Sequence, residues 1–184
     1  MSDPSGAAHT GQPLTLRLIL FEGFVAGAIG AVAVAAWFLI VDTIAGRPFL
    51  TPAMLGSAVF WQNLDPAAVQ IAFPTVIGYT MLHVLLFAIA GAAAAALAAL
   101  VETFPTTAFI VVFLFAVFEV GFYIVVAVLA QPLLGALAWS NVAVGNALAA
   151  FGMGFYLWRA HPRLRQRLAE HPLGEPAGGA LPTL

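Results

Sequence analysis

Four apolar stretches, each long enough to cross a bilayer, constrain this chain more than any other feature. They are expected at about residues 18–41, 71–101, 107–130 and 137–158. Each carries few polar groups: Glu22 in the first, His83 in the second, Glu119 in the third, Asn141 and Asn146 in the fourth. The second exceeds one span, so it tilts or begins in the interface near Phe73-Pro74, where a proline suits a first helical turn. Turn chemistry separates the stretches. Gly46-Arg47-Pro48 follows the first, Glu102 to Thr106 with Pro105 follows the second, and Gln131-Pro132 with Gly135 follows the third. Proline removes a helical hydrogen bond and biases its predecessor away from helix. Spanning structures are helices or closed barrels, and the alternation a barrel needs is missing. The sequence therefore predicts an all-α, polytopic membrane protein, a four-transmembrane-helix bundle.

Composition excludes the alternatives. Of 184 residues, 62% are hydrophobic and 8% charged, too much apolar surface for so small a water-soluble domain to hide. Disorder fails on the same figures. With six basic residues, all Arg, and a net charge of −2, the chain lacks the basic surface that nucleic acid requires. With no cysteine, disulfides, zinc–thiolate sites, iron–sulfur clusters and cysteine nucleophiles are excluded.

Arginine placement sets the orientation. Arg159, Arg163, Arg165 and Arg167 follow the fourth stretch and Arg17 precedes the first, whereas the loops hold Arg47 alone. The positive-inside rule places both termini in the cytoplasm, as an even number of spans requires. Residues 1–17 read as a flexible cytoplasmic tail, 18–158 as the membrane domain, and 159–184 as a basic, then disordered, cytoplasmic tail. Ala33-Val34-Ala35 has the form of a signal-peptidase site, but its apolar run is too long for a signal peptide and contains Glu22, so the first span is read as retained. The Ala-rich, Lys-free composition goes with a GC-rich bacterial genome and an inner (cytoplasmic) membrane. The chain resembles, in a general way, small four-span bacterial membrane proteins, and the resemblance rests on no motif and implies no site.

The first loop is the sizeable one. Thr51-Pro52 reads as an N-cap followed by proline, opening a short interfacial helix to about Gln62 with Trp61 at headgroup depth. That helix serves either as a lid on the bundle or as a docking surface. Asp42 and Arg47, flanking the first span, are placed to pair, and Glu22 to pair with Arg17 or a helix end. Small residues at helical spacing, Gly23, Gly27 and Gly30, then Gly91, then Gly145, Ala149 and Gly152, suit close helix packing, within the chain or between copies. Phe113 and Phe118 belong to the lipid-facing remainder.

Ionisable residues at bilayer depth are costly and normally face a partner. His83 and Glu119 each lie about 18 Å from the outer end of their span at 1.5 Å per residue, so they can meet on antiparallel helices. His83 shares its face with Tyr79, Thr80, Phe87, Ala90 and Gly91, and Glu119 shares its face with Ala116, Phe122, Tyr123 and Ala127. Asn146, somewhat shallower, reaches the same layer. The proposed intramembrane polar cluster is therefore His83, Glu119, Tyr79, Tyr123 and Asn146. Three readings attach to it: a structural His–Glu bond fixing helix register, a proton or ion relay, and a haem or quinone site at His83. One intramembrane His gives a haem one axial ligand, and the paired Glu-x-x-His motifs of a di-metal site are missing, so no metal and no resident cofactor are assigned. Phosphate-binding, metalloprotease and serine-hydrolase motifs are missing too. The expected role is thus a non-enzymatic accessory or structural subunit of a larger inner-membrane complex. It would contact lipid and other membrane subunits, or self-associate. A stand-alone transporter or channel using His83 and Glu119 is the alternative, and a small haem- or quinone-binding protein the third.

Overall fold

The computed structural model describes residues 16–104 and 139–162, together with single positions 109, 113, 117, 120, 124 and 166. Every regular element among them is helical: α1 (Leu16–Ile44), α2 (Leu50–Trp61), a 3-10 turn (Pro66–Ala68), α3 (Phe73–Thr103) and α4 (Trp139–Ala160). Two helices are long and apolar enough to cross a membrane, α1 with a mean hydropathy of 2.5 and α3 with 2.6. Three expected spans match α1, α3 and α4 within about three residues at each end. Of the third, at 107–130, only single positions are described. Phe109, Phe113, Val117, Val120 and Ile124 are helical, recur at intervals of three and four, and are exposed, which is one apolar helix face turned outward.

The packing is inverted relative to a water-soluble domain. The buried set is mostly small: Ala26, Ala31, Ala53, Ala95, Ala99 and Ala149, with Val101, Leu157 and Met54. Large apolar side chains such as Phe21, Phe24, Ile40, Met81, Leu85 and Ile89 face outward.

α1 is the central helix, packed against α3 on one side and α4 on another, while α3 and α4 hardly meet. Glycine decides how closely α1 and α3 approach. A Cβ on Gly27 would run into the Phe87 carbonyl, one on Gly91 into the Gly23 carbonyl, and one on Gly23 into Ala92 Cα. Backbone therefore lies on backbone, which only glycine permits. Toward α4 the fit is looser: a Cβ on Gly152 would stand 3.0 Å from Ile29, and one on Gly145 3.4 Å from Phe38 and Trp37. Trp37 Nε1 also donates to the Asn141 carbonyl at 2.9 Å, fastening the end of α1 to the start of α4.

Between α1 and α3 the chain folds α2 back as a lid on the bundle. Thr51, Ala53, Met54, Gly56 and Ser57 form its buried face, and Trp61 stays exposed. Met54 packs among Phe38, Leu55, Ala58, Val69 and Val142, so three segments besides α2 enclose it. Thr51 is not the N-cap expected from Thr51-Pro52. The cap is Phe49, held in the left-handed region at φ 68, and Thr51 lies in the first turn. The capping acceptor comes from α1 instead. The Thr51 N–H and hydroxyl both donate to the carboxylate of buried Asp42, at 2.7 and 2.8 Å. Asp42 thus joins α1 to α2 rather than pairing with the Arg47 side chain, and Arg47 contributes its N–H to the Asp42 carbonyl at 2.9 Å.

Candidate functional site

Polar groups collect in two places, one at each end of the α1–α3 pair. Toward the end of α1, the helix and α3 separate around a groove of about 600 Å³ roofed by α2. Val32, Ala35 and Leu39 form the α1 wall, and Val76, Ile77 and Thr80 the α3 wall. His83 and Tyr79 line its deep end, while Phe49, Ile71 and Phe73, all exposed, surround its mouth. α2 shapes the roof through its glycine. A Cβ on Gly56 would stand 2.8 Å from Thr75 and 3.2 Å from Tyr79, and Phe60 covers Gly78 in return.

His83, half-buried, is fixed by α1. Its Nε2 lies 3.2 Å from the Ala31 carbonyl, which can only accept, so Nε2 carries the proton. In the neutral ring Nδ1 is then an acceptor. The ring sits between Tyr79, at a centroid separation of 6.1 Å, and Phe87, at 4.7 Å. Thr80 donates its hydroxyl to the Val76 carbonyl at 2.8 Å and keeps its lone pairs. The structure thus brings together two members of the expected polar cluster, Tyr79 and His83, and adds Phe87 and Thr80. Glu119 and Tyr123 lie outside the described residues. Asn146 is half-buried on α4, which packs against α1 and scarcely meets α3.

The second collection joins three helix ends. Glu22 stands in the second turn of α1, Glu102 in the last turn of α3, and His161 just beyond α4. His161 is 3% exposed. Its Nδ1 donates to Glu102 Oε2 at 3.2 Å, and its Nε2 faces Glu22 Oε2, also at 3.2 Å. The second contact has ion-pair distance but poor hydrogen-bond alignment, which leaves both of its atoms buried without an aligned partner. Only a ring protonated on both nitrogens has a proton for each carboxylate. Helix electrostatics favour this arrangement in part. A ring protonated there would meet the negative pole of α4, whereas the Glu102 carboxylate stands at the same pole of α3. Glu22, expected to pair with Arg17 or a helix end, meets His161 just beyond the end of α4. The carboxylates sit off opposite edges of the ring, so they cannot converge with one of its nitrogens on a single ion. Among the described residues, no group of three His, Asp or Glu is arranged to hold a metal.

The chain matches no known family model, no curated protein and no solved structure.

The histidine–carboxylate cluster is legible in principle from topology. Glu22, Glu102 and His161 lie respectively near the start of the first apolar stretch, the end of the second and the end of the fourth, which alternating stretches bring to one end of a bundle. Glu102 read as loop because Pro105 follows it closely, yet α3 runs on to Thr103.

Proposed function

We propose that the chain is a four-span protein of the bacterial inner membrane, both termini cytoplasmic, acting as a non-enzymatic accessory subunit of a larger membrane complex. The membrane assignment draws support from the small-inside, large-outside packing, unfavourable in water and natural in lipid, where helices associate through close contact of small residues.

The subunit role rests on the outer face of α4. α1 uses Gly145, Ala149 and Gly152 of this helix, whereas Ala147, Ala150 and Gly154 face outward. A Cβ on Gly154 would meet nothing within 4 Å. Beside this trough runs a ridge of Phe151 and Phe155, stacked at 6.3 Å, with Arg159 over the Phe155 ring at 5.2 Å. Lipid gains nothing special from a trough of small residues, but a second helix does.

Native mass spectrometry of the tagged chain, extracted from its host in mild detergent, tests the proposal. The expected result is a mass that is no simple multiple of 19.2 kDa, with other chains identified in it. Gly154→Leu, which has room in the isolated chain, should release those partners while the helical circular-dichroism signal is kept. A chain recovered only as monomer or homo-oligomer overturns the subunit role.

A further inference from the structure

We propose that the groove between α1, α2 and α3 binds one neutral lipid whose small ring head carries hydroxyl groups, of the hydroquinone class. The inference rests on the membrane assignment above and is independent of the subunit role.

Three observations carry it. The first is shape. From Val32 to Asp42 the α1 wall is about 15 Å long at 1.5 Å per residue, and a volume of about 600 Å³ is that of a small-molecule site. The mouth is ringed by exposed apolar side chains, Phe49, Ile71 and Phe73, so an apolar tail can leave it directly into lipid. The second is charge. No arginine lines the groove among the described residues, and its acid, Asp42, is already committed to both donors of Thr51. A phosphate or carboxylate head would lie there uncompensated, at a heavy desolvation cost. A neutral head carries no such cost.

The third is hydrogen-bonding capacity at the deep end. The Tyr79 hydroxyl has no protein partner among the described residues. His83, with Nε2 spent on Ala31, presents Nδ1 as an acceptor. A ring hydroxyl is both donor and acceptor, so a hydroquinone can donate to Nδ1 and accept from Tyr79. The Tyr79 and His83 rings, tilted by 33° to one another, both line the groove and offer such a ring aromatic contact. Among the described residues no other group answers these two, and an aliphatic chain alone would not.

The full chain in phosphatidylcholine nanodiscs, titrated calorimetrically under argon with decyl-hydroquinone and with its dimethyl ether, provides the test. The ether keeps ring and tail but loses both donors. The expected result is saturable binding of one hydroquinone per chain, with the ether bound at least tenfold more weakly. Tyr79→Phe should weaken hydroquinone about tenfold, the worth of one buried hydrogen bond. Ala35→Trp, which fills the α1 wall, should abolish binding of both, and Leu39→Trp serves if that variant does not fold. Equal affinity for the two probes, or affinity unchanged in Tyr79→Phe, overturns the hydroxyl-head assignment. Affinity unchanged in the tryptophan variant overturns the groove as the site. Because nanodisc titration needs no partner chain, these outcomes are distinct from failure of the subunit role.

Discussion

The two halves of the α1–α3 pair are built from opposite rules. In the half that holds Gly23, Gly27 and Gly91 the backbones touch, and no space remains between the helices. In the half that holds Ala35, Leu39, Ile77 and Thr80 they diverge around a cavity, and a third element, α2, is folded in as its roof. Residue size is one difference and tethering is the other. The closed half is tied at its end by a buried histidine between two carboxylates, and the open half by one aspartate gripping the first turn of α2. In lipid, where apolar contact gives helices no net advantage over acyl chains, small residues determine where helices close and hydrogen bonds determine where they are pinned.

Four substitutions probe this contrast, from the largest effect to the smallest. Gly27→Leu should be the most damaging, because its Cβ meets the Phe87 carbonyl, a backbone atom that cannot step aside. A cost of about 3 kcal/mol or more, at the top of ordinary overpacking, is expected. Aggregation on detergent extraction would register it, whereas Ala35→Leu at the open half should extract normally. His161→Leu takes from Glu22 and Glu102, both half-buried, the ring that stands between them, a loss of about 3 kcal/mol for two carboxylates left without that partner. Denaturant titration in mixed micelles measures it, and Glu22→Gln with Glu102→Gln in the same chain should recover most of it. A loss that persists in the triple variant would mean that shape, not charge, holds the three ends together.

Asp42→Ala removes two charge-assisted hydrogen bonds from Thr51, at about 2 kcal/mol, and should loosen α2 alone. Amide hydrogen exchange should then accelerate across residues 50–61 and stay unchanged in α1 and α3 outside the tethering turn. Faster exchange throughout would show that the lid is not a separable element. Mildest is His83→Phe, which gives up one bond to a carbonyl that also serves α1, for roughly 0.6 kcal/mol by the average for membrane hydrogen bonds. Its thermal midpoint should fall little, and a large fall would make His83 a structural pin of the pair.

Much of the architecture could be read from the sequence, because its signals are local. Long apolar runs ended by Gly46, Pro48 and Pro105 place α1 and α3 within a few residues, and the small residues that suit close packing include those at their contact, though spacing alone does not say which helices meet. The partnerships were less legible, since they depend on helix rotation and on chain reversal. Asp42 and Arg47 flank one apolar stretch and are placed to pair, but the left-handed turn at Phe49 brings Thr51 back onto Asp42. Glu22 is expected at Arg17 or a helix end, and the group it meets is His161, just past the end of α4 and far from it in sequence. His83 also meets a backbone carbonyl of α1, a group that side-chain patterns do not reveal, and its expected partner Glu119 lies outside the described residues.

In the proposed membrane reading α1 and α3 cross the bilayer in opposite directions, with the groove in the outer half and the histidine cluster at the inner face. The native chain contains no cysteine, so single cysteines can be labelled without background. Arg47→Cys and Leu64→Cys lie beyond the outer end of α1 and before α3, and Thr103→Cys ends α3, all at exposed positions. In intact bacterial spheroplasts, a membrane-impermeant maleimide should label the first two and spare the third until the membrane is opened. Labelling of Cys at all three positions from outside, or of Thr103→Cys alone, would contradict the account.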